Sequence, residues 1–297
     1  SVDVKIESLK TESVQFELIA TDEPNKYVTH ISWSKNLGGI QILDNNEIIF
    51  KTSGAITSFD DYVEGGQIAN YEIQQLDSSN KAIIQEKKKI EVPKDYVFNG
   101  KTVLTDNFSF IGGRLFLLSS ALIQTQGYGF KVEVDQIISE DASIETYPYG
   151  IKEPYERNGL SAGNISFKAR TASGKLNVSM RGTHGGDGRG SICVPSFGLN
   201  CNASSGGRGG DGGYFSLTLV ENNHFILNRK LENGVGGKAG VACAYTAESG
   251  IVEPYMIWGF DNNCSGYGKG TTNGRVGENG KGQICYKLKK EDQYECI

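Results

Sequence analysis

The first 93 residues alternate between apolar and polar positions in short runs, which is the period of a half-buried β-strand. Examples are "SVQFELIAT", "YVTHISWS" and "ANYEIQQLD", separated by turn-forming stretches such as "DEPN" and "DSSN". About seven such runs in about 95 residues are typical of an immunoglobulin-like or fibronectin III-like sandwich. The pattern predicts this sandwich over residues 1–94, with Trp33 and Tyr71 in its core, His30 packed on a strand, and a presenting rather than catalytic role.

A second series of strand-like runs follows Pro93 and has no helical period. It includes "KTVLTDNFSFIG", "RLFLLSSALIQT", "FKVEVDQII", "ASIETY", "NISFKAR" and "KLNVSM", spaced by about ten residues. Such spacing fits either a second sandwich or a few coils of a solenoid, and the sequence leaves both open. The prediction is an all-β chain with a β-rich, glycine-rich head domain over residues 95–297.

The glycines interrupt this pattern at regular intervals. Of 39 glycines, 28 fall between Gly159 and Gly282. A period of three matches a helix with three residues per turn, so we expect polyglycine II helices packed side by side and exchanging backbone hydrogen bonds. Collagen is excluded by the short runs and six prolines. A disordered linker is disfavoured because the runs lead directly into strand-like segments. The sets are Gly182, Gly185 and Gly188; Gly206, Gly209 and Gly212 with Gly207, Gly210 and Gly213; Gly234, Gly237 and Gly240; and Gly274, Gly277 and Gly280.

Charged residues lie between the glycines at the same interval. Arg208 and Asp211 share one ridge of the second run, and Arg275, Glu278 and Lys281 share one ridge of the fourth. Residues three apart in such a helix are separated by roughly 9 Å along its axis. The spacing therefore predicts contacts with solvent or with neighbouring helices, and no direct pairing between Arg208 and Asp211.

Residues 159–290 resemble a known kind of glycine-rich domain. Glycine runs of period three joined by variable loops are similar to those of bacteriophage tail-fibre tip adhesins and some bacterial surface proteins. A similar lattice occurs in the glycine-rich extracellular region of some receptor tyrosine kinases. The resemblance to the tip adhesins implies a rigid polyglycine bundle whose loops recognise a receptor. This chain differs in having cysteines in its loops and fewer glycine runs.

Cysteine usage points to an oxidising compartment. All six cysteines lie beyond residue 192, and no closely spaced pair suggests a zinc site. An even number in one region predicts disulfides, hence a secreted or cell-surface protein. Six cysteines allow 15 connectivities, of which sequential pairing is the simplest. The predicted disulfide cysteines are Cys193, Cys201, Cys243, Cys264, Cys285 and Cys296.

Charge and hydropathy exclude other classes of partner. The net charge of −5 gives no basis for nucleic-acid binding, and no apolar stretch reaches the roughly 20 residues that span a membrane. The segment "GGRGGDGGY" nearly fits a calcium-binding nonapeptide, but no adjacent copy follows, so no cofactor is expected and calcium stays an alternative. The start at Ser1 fits a processed form or a cloning boundary equally well.

Aromatic residues are concentrated in the segments between the glycine runs. An early segment holds Tyr147, Tyr149 and Tyr155, and Phe197 lies in the next one. Aromatic rings stack on sugars and supply the hot spots of protein interfaces, whereas inward packing into a small loop core is the alternative. The longest segment, 241–273, supplies the predicted ligand-binding residues, which are Tyr245, Tyr255, Trp258, Phe260, Asp261, Asn262 and Tyr267.

Three hypotheses for function follow. The first is an extracellular adhesion or recognition protein that binds a cell-surface glycan or surface protein through loops on a polyglycine scaffold. The second is a secreted polysaccharide-degrading enzyme with a β-helical or β-sandwich catalytic domain, since paired carboxylates are not visible in sequence. The third is a purely structural surface protein. No nucleophile motif of the G-x-S-x-G kind accompanies His184 or His224, so catalytic residues are not predicted.

Overall fold

The computed structural model describes residues 14–34, 39–53, 55–189, 204–222, 224–239, 275–278, 281–287 and 294–296. These residues contain β-strands and no helix, so the predicted all-β class is confirmed for them. The chain forms two compact units. One comprises residues up to Val97 together with Gly112–Phe116, and the other comprises Phe98–Ile111 and the chain from Leu117 onward.

The first unit contains two antiparallel sheets with strand orders β1-β2-β5 and β4-β3-β6-β7. Apolar side chains from both sheets form one buried cluster, which includes Ile31, Trp33, Ile42 and Tyr71. Trp33 and Tyr71 therefore lie in the core, as predicted. The strands are β1 Val14–Ala20, β2 Lys26–Trp33, β3 Gly39–Asp44, β4 Glu47–Thr52, β5 Ser58–Glu64, β6 Ile68–Leu76 and β7 Ala82–Glu91.

Strand β5 was not predicted from the sequence, because two adjacent aspartates interrupt its alternation. Both aspartates contact side chains of other strands, Asp60 within its own sheet and Asp61 in the other sheet. Asp61 accepts a hydrogen bond of 2.7 Å from the hydroxyl of Tyr71, and Asp60 Oδ1 lies 2.5 Å from Nδ1 of His30. His30 is therefore a strand residue, as expected, but its side chain pairs with Asp60 at the surface and is 37% exposed.

The second unit is built around a large mixed sheet. Strand β13 pairs in parallel with β12 on one side and with β14 and then β15 on the other, and β16 continues in parallel from β14. Consecutive parallel strands favour stacked coils over an antiparallel sandwich. The strands are β8 Tyr96–Phe98, β9 Lys101–Val103, β10 Phe108–Leu117, β11 Leu122–Gln124, β12 Phe130–Glu145, β13 Asn164–Arg181, β14 Tyr214–Asn222, β15 Ile226–Glu232, β16 Lys281–Lys287 and β17 Tyr294–Cys296.

The long strands β12 and β13 bend at the same level. Asp141 has a φ of +65° beside a register shift in β12, and Gly174 in β13 has a φ of +84°. A Cβ atom at Gly174 would overlap the carbonyl oxygen of Ser139, so this bend requires glycine. As a result, two runs that look separate in the sequence form one continuous strand in each case.

A row of phenylalanine rings runs through the core of this sheet. The rings of Phe108, Phe130, Phe167 and Phe215 follow one another with centroid separations of 4.9, 5.6 and 6.3 Å. Phe130, Phe167 and Phe215 come from successive parallel strands and are almost fully buried. Aligned aromatic side chains of this kind hold neighbouring strands in one register.

Beyond the strand ends, six extended segments form what we call the glycine network. Three outgoing segments, 151–156, 182–189 and 233–239, leave the strands β12, β13 and β15. Three returning segments, 157–163, 204–213 and 275–278, lead into β13, β14 and β16. Backbone hydrogen bonds between these segments, at donor–acceptor distances of 2.6–3.2 Å, join them to one another.

The hydrogen bonds of the network repeat every third residue. The amides of Gly182, Gly185 and Gly188 donate to the carbonyls of Glu232, Val235 and Lys238, so these outgoing segments run parallel. The residues that follow two of these glycines contact a different segment. The amides of Thr183 and Gly186 donate to the carbonyls of Leu160 and Arg157, so segments 182–189 and 157–163 run antiparallel. Segments are therefore parallel within the outgoing set and within the returning set, and antiparallel between the two sets.

The network depends on glycine at the places where backbones meet. A Cβ atom at Gly182 or Gly185 would overlap the carbonyl oxygen of Gly210 or Gly207 in the neighbouring returning segment. Real Cβ atoms do not approach backbone oxygens so closely, so a side chain at these positions would force the segments apart. The absence of side chains is therefore a packing requirement here.

Candidate functional site: the loop end of the glycine network

The outgoing segments end and the returning segments begin at one end of the network, which we call the loop end. Glu156 donates its amide to Asp187, and Gly188 donates to Lys238 at 2.7 Å, so these segment ends lie side by side. The amide of Ser204 donates to the carbonyl of Arg189 at 3.0 Å. The connections 190–203 and 240–274 thus both start at the loop end.

Ion pairs join the outgoing segments near the loop end. Lys152 Nζ lies 2.5 Å from Asp187 Oδ2, and Arg189 Nε lies 3.6 Å from Glu156 Oε2. Asp187 also accepts a 2.7 Å hydrogen bond from the amide of Lys238. The Lys152 ammonium, followed by this amide, lowers the pKa of the Asp187 carboxyl below its ordinary value. These side chains join neighbouring segments through ion pairs and hydrogen bonds.

Polar side chains three residues apart serve as acceptors between adjacent segments. His184 Nδ1 accepts from the amide of Val235 at 2.9 Å, three residues before the Asp187 contact with Lys238. In the returning set, Asn158 Oδ1 accepts at 2.8 Å from the amide of Arg208, and Ser161 Oγ accepts from the amide of Asp211. His184 therefore has a structural role in the network.

The prediction that Arg208 and Asp211 do not pair directly is wrong. Arg208 Nη2 donates to Asp211 Oδ1 at 2.7 Å, because the long arginine side chain spans the three-residue interval. The same oxygen accepts a hydrogen bond of 2.7 Å from the amide of Glu278. The aspartate of the "GGRGGDGGY" segment is thus committed to two protein donors. No cluster of three metal-ligating side chains occurs in the part of the chain that the structure describes.

The three tyrosines of the first connection have different environments. Tyr147 is 5% exposed and donates its hydroxyl proton to the carbonyl of Gln126 at 3.0 Å. Burial raises the pKa of this hydroxyl. Tyr149 and Tyr155 are 84% and 62% exposed. Tyr147 therefore packs inward, and only the other two present rings to solvent.

Tyr149 lies beside a charged pair at the other end of the outgoing segments, where strands β13 and β15 end. The guanidinium carbon of Arg181 is 5.3 Å from the centroid of the Tyr149 ring. Arg181 Nη2 donates to Ser179 Oγ at 2.6 Å, and Arg181 Nε lies 3.4 Å from Glu232 Oε2. Nε is buried and has no hydrogen-bond partner among the described residues.

Sequence reasoning missed Arg181 and Glu232. The available signal was that the runs "KLNVSMR" and "RKLE" each end in a charged residue immediately before a glycine-containing segment. The parallel register of β13 and β15 places Arg181 opposite Glu232, and this pairing could not be known without the topology.

The remaining predicted site residues lie outside the described residues. They are Phe197, Tyr245, Tyr255, Trp258, Phe260, Asp261, Asn262 and Tyr267, together with Cys193, Cys201, Cys243 and Cys264. The other two cysteines are placed by the backbone, because Cys285 and Cys296 are directly opposite each other in the antiparallel pair β16 and β17. The structure thus gives the anchor points of the predicted loops.

Comparison of the chain with protein-family models, curated proteins and solved structures returned no match. Among the residues that the structure describes, no helix is long and apolar enough to cross a membrane.

Proposed function

We propose that this chain is an extracellular adhesion or recognition protein, and that loops on the glycine network bind a cell-surface glycan or surface protein. The supporting observation is the loop end, where connections 190–203 and 240–274 both start. These connections contain the aromatic and amide side chains expected of a binding surface. Loops longer than about 12–15 residues are usually functional or disordered.

The six network segments are proposed to be polyglycine II helices. A helix with three residues per turn directs every third residue to the same neighbour, and the amide donors of the network follow this interval. Glycines at the contacts allow backbones to approach, as the overlaps at Gly182 and Gly185 illustrate. This geometry agrees with the resemblance to tail-fibre tip adhesins, which is itself part of the proposal.

Rigidity is the contribution of the network to binding. Each central segment, 182–189 or 204–213, is hydrogen-bonded to four neighbours, so the bases of the loops are held at fixed separations. A loop fixed at its base loses less conformational entropy on binding than a free one. A recognition surface can therefore be built from long loops without a large core beneath them.

The first unit is proposed to be a fibronectin III-like presenting module. Its sheet orders, β1-β2-β5 and β4-β3-β6-β7, match a seven-strand sandwich in which three strands face four. Trp33 and Tyr71 lie in the shared core. Such modules serve as spacers on many surface proteins, which fits an adhesin better than an enzyme.

Binding of fluorescent full-length protein to whole cells and to a glycan array tests the proposal. The decisive variants are Tyr255→Ala and Trp258→Ala in the long connection, with Tyr62→Ala as the matched control because Tyr62 is 78% exposed on β5. We expect the first two to weaken binding with nearly unchanged melting temperature, and the control to leave binding intact.

Two results would count against the proposal or its residues. If the unmodified chain binds no cell type and no glycan, the proposed function is wrong. If Trp258→Ala lowers the melting temperature sharply, Trp258 belongs to a loop core and its assignment as a binding residue is wrong.

A further inference from the structure

The turn between strands β8 and β9 brings two amides and a hydroxyl together. Asn99 is exposed, and Gly100 follows it with a φ of +76°. Ser120 Oγ donates to Asn99 Oδ1 at 2.7 Å and accepts from the amide of Gly100 at 3.2 Å. One hydroxyl therefore contacts both the side-chain amide of Asn99 and the backbone amide that follows it.

This shared contact places the Asn99 side chain on the same side of the turn as the Gly100 nitrogen. In that arrangement the nitrogen of the following residue can attack the side-chain Cγ and close a five-membered ring. Glycine favours the attack because no Cβ shields its nitrogen. A Cβ atom at Gly100 would meet no other atom within 4 Å, so the turn also has room to change its conformation.

The hydroxyl of Ser120 favours the same reaction. Its proton is donated to Asn99 Oδ1, where negative charge develops when the nitrogen attacks Cγ, and a hydrogen bond to a developing oxyanion lowers the barrier. Its oxygen accepts from the attacking amide and orients that nitrogen. Ser120 therefore contacts both reacting groups.

Two other asparagine–glycine pairs lie among the described residues, and the glycine network holds both. At the first, the amide of Gly159 donates to the carbonyl of Arg208 at 2.6 Å, and Asn158 Oδ1 accepts from the amide of Arg208 at 2.8 Å. The nitrogen and the side chain of this pair are therefore both fixed to a neighbouring segment.

The second network pair is held in a similar way. The amide of Gly234 donates to the carbonyl of Gly210 at 2.8 Å, and Asn233 Nδ2 donates to the carbonyl of Gly277 at 2.7 Å. Closing a ring would require both hydrogen bonds to break inside a packed lattice of backbones. The pairs at 273–274 and 279–280 lie outside the described residues.

We propose that Asn99 is a site of spontaneous deamidation. The Gly100 nitrogen forms a bond to Cγ of Asn99, the Cγ–Nδ2 bond breaks, and the proton lost by the nitrogen leaves with Nδ2 as ammonia. Water then opens the resulting succinimide at one of its two carbonyls, which leaves aspartate or isoaspartate at residue 99. Either product adds a negative charge, and isoaspartate also adds a methylene group to the backbone between β8 and β9.

Peptide mass spectrometry of the full chain, after incubation at mildly alkaline pH, measures conversion at each asparagine. In the folded protein we expect Asn99 to convert at least about tenfold faster than Asn158 or Asn233. In guanidinium chloride the three rates should become similar, because glycine follows each asparagine. Asn99→Gln is the matched control, since it keeps a side-chain amide but needs a larger ring, and residue 99 should then stay unmodified.

Two further variants test the hydroxyl. Ser120→Ala should slow conversion of Asn99 roughly threefold or more, because an exposed hydrogen bond contributes modestly. Ser120→Thr keeps the hydroxyl and should retain the original rate. If Asn99 converts no faster than Asn158 and Asn233 in the folded protein, the deamidation site is wrong. If Ser120→Ala converts Asn99 as fast as the original chain or faster, the role assigned to Ser120 is wrong.

Discussion

Asp95 and Arg114 form a buried ion pair within the first unit, with Arg114 Nη2 2.7 Å from Asp95 Oδ2. Their side chains are 0% and 4% exposed. Asp95 also accepts hydrogen bonds from the hydroxyl of Tyr27 at 2.5 Å and from the amide of Asn25 at 2.7 Å. Arg114 reaches in turn to backbone carbonyls of the β1–β2 turn, including that of Glu23 at 2.9 Å.

Replacing Arg114 with Met should destabilise the first unit strongly. The change leaves Asp95 charged and buried without its ionic partner, and breaking such a pair typically costs about 3–5 kcal/mol. Urea unfolding of the full chain, followed by tryptophan fluorescence in a Trp258→Phe background so that Trp33 is the reporter, measures the effect. The double variant Arg114→Met with Asp95→Leu should recover part of the loss because no buried charge remains. An unaltered midpoint in the single variant would show that the pair is not important for stability.

Gly210→Ala should disrupt the glycine network. A Cβ atom there would overlap the carbonyl oxygen of Leu160, and the amide of Gly210 bonds Thr183 at 3.0 Å. We expect a loss of about 3 kcal/mol or more, since neither backbone can move without breaking other bonds. Calorimetry measures this. The control is Gly100→Asn, because Gly100 has φ +76° with open space around it and Asn tolerates that conformation. Equal melting temperatures for both variants would contradict the packing argument.

The Asp187 contacts predict a pH dependence of stability. Lys152 and the Lys238 amide lower the pKa of this carboxyl in the folded chain. A carboxyl whose pKa is lower in the folded than in the unfolded chain stabilises the fold at any pH above its unfolded-state pKa. That stabilisation is lost as the pH falls through its folded-state pKa. Asp187→Asn keeps the acceptor oxygen and removes the charge. The melting temperature of the variant should therefore lie slightly below that of the original chain at pH 6 and converge with it once the pH falls below the lowered pKa of Asp187.

Thermal unfolding between pH 2.5 and 6 measures this difference, with the exposed Asp22→Asn as control. The effect should be small, because the pair is largely solvated and salt screens it. A constant difference across the whole pH range would show that the charge of Asp187 is not responsible.

The register of β16 and β17 predicts a disulfide between Cys285 and Cys296. Directly opposite residues in antiparallel strands have Cα atoms roughly 4.5–5.5 Å apart, which lies within the range that a disulfide bridges. The pairing also agrees with the sequential connectivity expected from the sequence. Proteolysis under non-reducing conditions should yield one linked peptide containing both residues, and Cys285→Ser should leave Cys296 free to react with a maleimide. Labelling of both cysteines in the unreduced native protein would exclude the bridge.

The sequence predicts those parts of the fold that depend on local alternation, and it fails where contacts with distant residues decide the structure. In the first unit, alternation predicts β1–β4, β6 and β7, because each of these strands has one face toward the core. It misses β5, where Asp60 and Asp61 bind side chains of other strands and the alternation is lost. Local pattern therefore identifies the strands in which apolar and polar positions alternate, and it misses a strand in which charged residues break that alternation.

The sequence did not predict which segments of the network are neighbours or in which direction they run. The interval of three indicates which glycines face the same neighbour, but nothing in it says which segment that neighbour is or in which direction it runs. Arg181 and Tyr149 are 32 positions apart in the numbering, and their contact requires both the parallel register and the turn at residues 148–150. The predicted binding residues in segment 241–273 remain predictions for the same reason, since their positions depend on tertiary structure.

The three-residue repeat of the network also restricts how such a chain can change in length. Inserting one or two residues in a central segment would direct every later amide donor to a different neighbouring segment, whereas inserting three would keep each donor facing the same segment. A tolerated lengthening must therefore come in multiples of three and be matched in the adjoining segments. The connections at the loop end obey no such rule, so relatives of this protein should vary freely there in both length and composition.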